Sequence, residues 1–108
     1  MTEEDIRDYC LSKPGATEGL PFGPEVLVFK VKDKIFLLLR LDRHPINFNV
    51  KCDPDKAIEL RERYPAVQPG YHMNKKHWNT IIVDGTLSTK QLNEFIDDSY
   101  ELVVRSKK

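Results

Sequence analysis

The feature that most constrains the fold of this chain is a series of three strand patterns between residues 25 and 51. In the first pattern apolar side chains recur at every second position, which is typical of a half-buried strand. A hairpin is predicted at Asp33-Lys34, and the almost wholly apolar stretch 35–42 indicates a central strand covered on both faces. The third pattern, residues 46–51, alternates most regularly of all. Together the three patterns predict an antiparallel sheet.

Helix signals stand on both sides of these strands. Thr2 is a predicted N-cap, and the helix that it begins stops before Pro14-Gly15. Asp53-Pro54 predicts a second helix start, because Asp accepts a bond from a free amide and Pro fits the first helical position. That helix is expected to end at Pro65, and a capping box at residues 88–91 begins the last helix.

The order of the elements predicts the fold class. A strand is expected at Trp78–Val83, and a short extra strand at Val67–His72. The order is therefore α-β-β-β-α-β(-β)-α, which indicates an α+β, two-layer fold. In such a fold an antiparallel sheet carries its helices on one face and leaves the other partly open to solvent.

Length and composition indicate one domain over residues 1–108. With 108 residues and 40% hydrophobic content, the chain can bury a core without a disulfide or a metal. Cys10 and Cys52 are predicted to be free, buried thiols. The acidic start lacks the character of a signal peptide, and the longest apolar run, residues 35–39, is too short to span a bilayer. A cytoplasmic location is expected.

Charge is balanced in total and uneven along the chain. Seventeen basic residues face 17 acidic residues, which argues against a protein that coats nucleic acid by bulk electrostatics. The middle of the chain is nevertheless basic, and the Tyr64–Thr80 segment contains Lys75 and Lys76 and no acidic residue. A locally positive surface is therefore compatible with zero net charge.

The sequence lacks the spacing that catalysis and cofactor binding require. The glycines at 15, 19 and 23 precede a strand, so they do not form a phosphate-binding loop, and no serine lies in a Gly-x-Ser-x-Gly setting. The serines are predicted to be caps and helix-surface residues. Cys52, His72 and His77 contain the donors for zinc or thiol chemistry, but the five-residue spacing of the histidines puts them on different sides of either a helix or a strand. We expect no catalysis, no cofactor and no metal.

Glu18 differs from the other acidic residues, most of which fall on outer helix faces. It lies in a loop rich in glycine and proline. We expect Glu18 to be a structural latch that accepts backbone amides or pairs with a basic residue of the Tyr64–Thr80 segment. Catalysis is the less favoured alternative.

The Tyr64–Thr80 segment combines aromatic and cationic side chains. Lys75, Lys76 and His77 stand beside Trp78 and close to Tyr71, and such pairs suit the phosphates and bases of nucleic acids. The alternative is that the aromatic residues fill the rim of the core while the lysines keep a turn solvated. Tyr71 and Trp78 are expected to fix the fold in either case.

Several motifs resemble the MmcQ/YjbR family, a group of small bacterial proteins. The longest motif is Pro69-Gly-Tyr-His-Met-Asn-Lys-Lys-His-Trp-Asn-Thr80, and shorter ones lie at 14–18, 21–23, 29–31, 34–36, 51–54 and 64–67. The resemblance covers nearly the whole chain. It implies an α+β domain like the secretion-chaperone fold, similar also to the double-wing DNA-binding domain of the bacteriophage transcription factor MotA. It further implies DNA binding, by analogy of fold.

The leading functional hypothesis is therefore a DNA-binding domain without catalysis. The expected contacts lie on a basic sheet face and on the Asn-Lys-Lys-His turn, and comprise Lys30, Lys32, Asn47, Asn49, Lys51, His72, Lys75, Lys76 and His77.

Two alternatives remain. One is a protein-interaction module, which neutral net charge favours. The other is a small-anion or nucleotide site built from Glu18, Tyr71, His72, Lys75 and Trp78. The expected partners are DNA or another protein and not a membrane, and the chain is expected to be a monomer or a weak dimer.

Overall fold

The computed structural model describes residues 1–70 and 73–105. Within them the chain forms three helices and six strands. The helices are α1 (Glu3–Leu11), α2 (Pro54–Arg63) and α3 (Thr89–Arg105); the strands are β1 (Thr17–Gly19), β2 (Val26–Val31), β3 (Lys34–Arg40), β4 (Asn47–Lys51), β5 (Val67–Pro69) and β6 (Trp78–Ile82). None of these helices has the length and apolar character that crossing a membrane requires.

All six strands form one antiparallel sheet, with the spatial order β1-β2-β3-β4-β6-β5. The predicted α+β class and element order are confirmed. One strand was not predicted: Thr17–Gly19, expected as part of a loop, pairs with β2 at the sheet edge. Three residues are too short to show a period of two. The extra strand predicted at Val67–His72 is present as Val67–Pro69, and the end of the predicted span lies outside the described residues.

The local capping signals place the helices. Thr2 accepts a bond from the amide of Asp5, whose carboxylate accepts one from the Thr2 amide, which is a complete capping box. Asp53 caps α2, with Pro54 at its first position. Ser88 and Gln91 exchange the same pair of bonds at the start of α3. These short-range interactions explain why the helix starts were predictable.

One core joins the three helices to a single face of the sheet. Alternate strand residues, among them Phe29, Leu37, Leu39, Phe48, Val50 and Ile81, pack with Ile6 and Cys10 of α1, Ala57 and Leu60 of α2, and Leu92, Phe95, Ile96, Tyr100 and Val103 of α3. Both cysteines are free and buried, as predicted. Since the described helices all lie on this side, we call the opposite surface of the sheet the open face.

The turn between β2 and β3 differs from prediction by one residue. Lys32 and Asp33, both with positive φ of 54° and 63°, form its two central positions, and Val31 pairs with Lys34. Beyond the turn a bulge inserts Phe36 opposite Phe29, so that Phe36 and Leu37 both enter the core. The alternation of faces along β3 is therefore broken at this point.

Glu18 is a latch, but its partner is not the predicted one. Its two carboxylate oxygens accept bonds of 2.7 and 2.6 Å from Arg7 of α1, and not from the Tyr64–Thr80 segment. The hydrogen bond from Arg7 lowers the pKa of Glu18, so the carboxylate remains charged at neutral pH. The pair ties the edge strand β1 to α1.

Ser99 is a buried bridge, whereas the sequence suggested a cap or a helix-surface residue. Its side chain is 0% exposed in the core-facing side of α3. Its hydroxyl accepts a bond of 2.8 Å from the Lys51 amide of β4 and donates to the Phe36 carbonyl of β3. The hydroxyl thus stands between two strands in the place of a direct ladder bond, and it fixes the end of β4 that carries Lys51.

We expect Ser99→Ala to lower the free energy of unfolding by about 2 to 4 kcal/mol, because it leaves a buried amide and a buried carbonyl without their partner. Urea unfolding followed by circular dichroism measures this change. Ser12→Ala is the matched control, since the exposed Ser12 hydroxyl makes a local bond to Tyr9. A loss for Ser99→Ala no larger than that of Ser12→Ala would contradict the bridge.

Candidate nucleic-acid interface

The strand register brings polar residues from distant parts of the chain into rows on the open face. Leu39 and Phe48 are paired core residues, so the next pair, Arg40 and Asn47, points to the opposite side. By the same alternation Asn49 pairs with Thr80, which in turn pairs with Gln68. These two rows lie side by side across β3, β4, β6 and β5.

A concavity of about 200 Å³ lies over these rows. Its lining includes two arginines, three side-chain amides and a threonine, with two apolar residues, namely Arg40, Arg43, Asn47, Asn49, Gln68, Thr80, Pro69 and Ile82. Among the residues that the structure describes, no carboxylate lines it. The concavity therefore offers hydrogen-bond donors and positive charge to a ligand.

Asp42 stands at the margin of this concavity and is the partner of Arg40. Its two oxygens accept bonds of 3.2 and 3.1 Å from the guanidinium. The bond from Arg40 lowers the pKa of Asp42, so Asp42 is charged at neutral pH and holds Arg40 in place.

Asn49 forms the floor of the concavity and does not project into solvent as the alternation alone suggested. Asn49 is 6% exposed and Thr80 is 8% exposed, and the Thr80 hydroxyl donates to the Asn49 side-chain oxygen. Asn47 is on the same face and half-buried, and it donates to the Pro45 carbonyl at 3.3 Å. The prediction of a shared face is right, while the exposure predicted for Asn49 is wrong.

Lys30 and Lys51 lie at the other end of the open face. Lys51 is the last residue of β4, about 13 Å from Asn47 at the usual rise of a strand. Lys30 pairs with Thr17 of β1, and together with Val28 it lines a second concavity of about 500 Å³. That concavity also includes Glu18 and Asp33, so its charge is mixed.

Lys32 does not lie on the open face with Lys30 and Lys51. It lies in the β2–β3 turn, and its ammonium group donates to the Val104 carbonyl in α3 at 3.3 Å. This places Lys32 on the helix side of the sheet, where it satisfies a carbonyl near the end of α3. The prediction that Lys32 shares a face with Lys30 is wrong, because the positive φ of the turn ends the alternation before Lys32.

The Asn-Lys-Lys-His turn is a compact structure built around Asn74. The Asn74 side chain accepts a bond of 2.9 Å from the Lys76 amide, and its carbonyl accepts bonds from His77 and Trp78. Lys76 is exposed, whereas the ammonium group of Lys75 turns back to the Gly70 carbonyl at 3.2 Å. His77 is half-buried, and its carbonyl accepts the Cys52 amide. Both predicted lysines are exposed residues, and the Gly70 carbonyl holds the ammonium group of Lys75.

Gly70 and Trp78 meet closely at the base of this turn. The Gly70 amide donates to the Trp78 carbonyl at 3.0 Å. A Cβ at position 70 would lie 2.9 Å from the Trp78 Cβ and 3.0 Å from that of Met73, so the approach requires glycine. Trp78 also pairs with Lys51 at the end of β4. Tyr71 and His72, for which structural and binding roles were predicted, lie outside the described residues.

Arg61 of α2 holds the turn to the rest of the fold. Its guanidinium donates to the Asn79 side-chain oxygen at 2.6 Å, to the Trp78 carbonyl at 3.3 Å and to the Lys75 carbonyl. Asn79 is buried on the helix side of β6. Nothing local in the sequence distinguishes Arg61 from the other charged residues of α2, so this anchor was not predicted.

Of the three residues considered for thiol or metal chemistry, the structure describes Cys52 and His77 and does not describe His72. Burial raises the pKa of the Cys52 thiol, so the thiol is protonated at neutral pH. Its link to His77 runs through the backbone. Within the described part of the chain, no three His, Cys, Asp or Glu side chains are grouped as metal ligands would be.

An exposed apolar tip is a further feature that the sequence reading missed. Leu20 is 51% exposed and Phe22 is 63% exposed in the connection between β1 and β2. The Gly23 amide bonds to the Leu20 carbonyl at 3.3 Å, and Gly23 has φ of 110°. Pro21 and Pro24 restrict the same turn, so the two apolar side chains are held in solvent by a stiff loop.

We expect Arg61→Ala to loosen the turn and to lower the free energy of unfolding by about 2 to 4 kcal/mol, since bonds from a charged donor are lost. The specific readout is faster amide hydrogen exchange at His77 and Trp78. Arg63→Ala is the matched control on the same helix, where the guanidinium lies 5.5 Å from the Tyr64 ring centroid. Equal exchange in both variants would contradict the anchoring role.

Comparisons with known proteins agree with this fold. The YjbR family model matches residues 11–102. The chain is 45% identical to YbdF of Escherichia coli O157:H7 over 94% of its own length and 83% of the relative, and 32% identical to YjbR of E. coli K-12 over 96% and 88%.

Solved structures give the same result. The crystal structure of Deinococcus radiodurans protein DR2400, with the domain DUF419, has a TM-score of 0.93 and 38% identity, covering 99% of this chain and 81% of that one. A crystal structure of a Pseudomonas syringae protein has a TM-score of 0.83 and 29% identity, covering 95% and 99%. The similarity covers nearly the whole chain and so includes the sheet that forms the open face. The chain therefore belongs to the YjbR family.

Proposed function

We propose that this protein binds DNA, without catalysis, through the open face of its sheet. The observation that carries the proposal is the concavity in which Arg40 and Arg43 stand with side-chain amides and without a carboxylate among its described lining residues. Binding in the cytoplasm is part of the same proposal.

The chemistry of the concavity suits a nucleic acid in two ways. Guanidinium groups form paired hydrogen bonds with phosphate oxygens, which supply most of the salt-dependent affinity. The amides of Asn47 and Gln68 offer a donor and an acceptor together, which is the pattern that base edges present. A neutral protein can use such a surface because the electrostatic attraction depends on local charge more than on the total.

Cations at the far end of the open face extend this surface. Lys30, Lys51 and the exposed Lys76 provide point charges for further phosphates. Lys75 contributes less in this proposal, because its ammonium group already bonds to Gly70.

Removing the two arginines tests the proposal. We expect Arg40→Ala with Arg43→Ala to weaken binding of a fluorescent DNA oligonucleotide and to reduce the slope of log K against log salt by about one to two units, because Arg43 loses a full phosphate contact and Arg40, which pairs with Asp42, loses a partial one. Fluorescence anisotropy at several salt concentrations gives both quantities. A Lys75→Ala, Lys76→Ala variant measures in the same way how much the Asn-Lys-Lys-His turn contributes to the affinity and to the salt slope.

The matched control removes the same charge from the helix side. Lys90→Ala with Arg105→Ala deletes two exposed cations of α3 and should leave the slope unchanged. If this control and the Arg40, Arg43 variant lost affinity equally, DNA would bind to cations on both sides of the protein, and the open face would not be the specific site. If the unmodified protein bound no DNA at low salt, the proposed function would be wrong.

The exposed tip favours a second candidate, a protein-interaction module. Leu20 and Phe22 are large apolar side chains that a stiff turn keeps in water, and such exposure is common where a partner binds. The tip connects the edge strand β1 to β2, so a partner segment at this edge would contact both backbone and apolar side chains.

We expect Phe22→Ser to abolish capture of a protein partner in affinity purification from a lysate of the host, and to leave DNA binding unchanged. Ile58→Ser is the control, because Ile58 is 54% exposed on α2 and away from the tip. Loss of capture in both variants, or in neither, would argue against the tip as the interaction site.

A further inference from the structure

The concavity on the open face is too small for an extended ligand. Its volume of about 200 Å³ lies below the roughly 300–1,000 Å³ of sites that enclose drug-sized ligands. A single planar ring system is the part of a nucleic acid that matches such a space. The phosphate groups on either side would remain outside, within reach of the rim.

The walls and floor of the concavity differ in chemistry. Pro69 and Ile82 provide apolar contact, on which a base can lie with its flat face. The floor is the Thr80–Asn49 pair, whose side chains are bonded to each other. Gln68 is exposed on the outer strand β5, so its amide can rotate toward the edge of a base without changing the packing of the core.

The donors and acceptors favour one kind of base. Adenine presents an amino donor next to a ring acceptor, and this pair matches the carbonyl and amino groups of a glutamine or asparagine side chain. Guanine presents two acceptors, which an arginine matches better; Arg40, however, already donates two bonds to Asp42. The amide of Gln68 is therefore the group that faces the base edge in this inference, since the Asn47 amide nitrogen already donates to the Pro45 carbonyl.

A base can occupy the concavity only outside a base-paired stack. In a duplex the bases are stacked and only their edges are accessible in the grooves, so one base must be unpaired or rotated out, which costs a few kcal/mol. Single-stranded DNA avoids this cost.

Resting on the proposed function, we infer that the concavity formed by Arg40, Arg43, Asn47, Gln68, Pro69 and Ile82 binds one unpaired adenine base. The adjacent phosphate lies on Arg43, beside the guanidinium of Arg40 that pairs with Asp42. The protein consequently prefers single-stranded or locally unpaired DNA to duplex DNA, and adenine-containing strands to thymine-containing ones.

The test uses three probes with the intact protein: a 12-nucleotide deoxyadenosine strand, a 12-nucleotide thymidine strand, and the duplex of the two. Fluorescence anisotropy should show the deoxyadenosine strand bound at least about fivefold more tightly than either other probe, which corresponds to one good bidentate contact. Gln68→Met keeps the length of the side chain and removes its amide. It should erase the preference for deoxyadenosine, lowering the affinity for that strand to the affinity for the thymidine strand, whereas Lys90→Ala with Arg105→Ala should keep the preference.

The outcomes separate this inference from the proposed function. Equal binding of all three probes, or tighter binding of the duplex, with dependence on Arg40 and Arg43, would overturn the base site and leave DNA binding intact. A deoxyadenosine preference that survives in Gln68→Met would also overturn it. Absence of binding to every probe would overturn both. The melting temperature of Gln68→Met is the control for folding. It should equal that of the unmodified protein, since Gln68 is exposed and lies outside the core.

Discussion

The constraint on which the rest of this structure depends is that the described helices cover the sheet from one side only. The core lies between that side and α1, α2 and α3, and it takes every second residue of the strands. The remaining strand residues must be accommodated without a helical layer. Val28 and Leu38 are nevertheless nearly fully buried there, and beside them Asn49 and Thr80 satisfy each other by a hydrogen bond. Because no described helix covers this face, polar side chains can line a concavity there, and the one-sided core is the reason that this concavity can exist.

Two buried polar interactions determine how the edges of the open face are held. Ser99 inserts a hydroxyl between β3 and β4 at Lys51, the last residue of β4, and Arg61 ties the Asn-Lys-Lys-His turn to α2. Both residues are on helices and act on strands or loops distant in sequence. Their contribution is positional: they fix backbone groups, and the side chains exposed nearby take their directions from that backbone.

Electrostatic balance explains how a neutral chain can have a cationic surface. Acidic residues are largely committed to partners elsewhere: Glu18 to Arg7, Asp97 to Tyr9 and Lys13, and Asp98 to Lys56. Much of the negative charge is therefore paired with cations in the first part of the chain and on the helices. The lining of the concavity retains arginines and amides. In the folded protein the segregation is local to this concavity, since Asp42 pairs with Arg40 at its margin and the second concavity of the open face includes Glu18 and Asp33.

The sequence by itself determined the elements and their order, because caps and alternation are short-range. Thr2, Asp53 and Ser88 mark helix starts through bonds to residues two or three positions away, and the period of two marked β2 and β4. It also placed Lys30, Asn47, Asn49 and Lys51 on one face, since alternation alone decides the side of a strand. The element order predicted the α+β class and the family resemblance implied the same class, which the solved structures confirm.

Only the tertiary structure decided which of these residues meet. Strand register placed Arg40 beside Asn47 and Gln68 beside Thr80, although 7 and 12 positions separate them along the chain. A turn with positive φ sent Lys32 to α3, and a bulge sent Phe36 into the core. Ser99 and Arg61 had no local signal, since their partners lie 14 to 63 residues away. The physical reason is that local patterns report the hydrogen bonds and periodicity of nearby residues, whereas a site is made where distant strands pair.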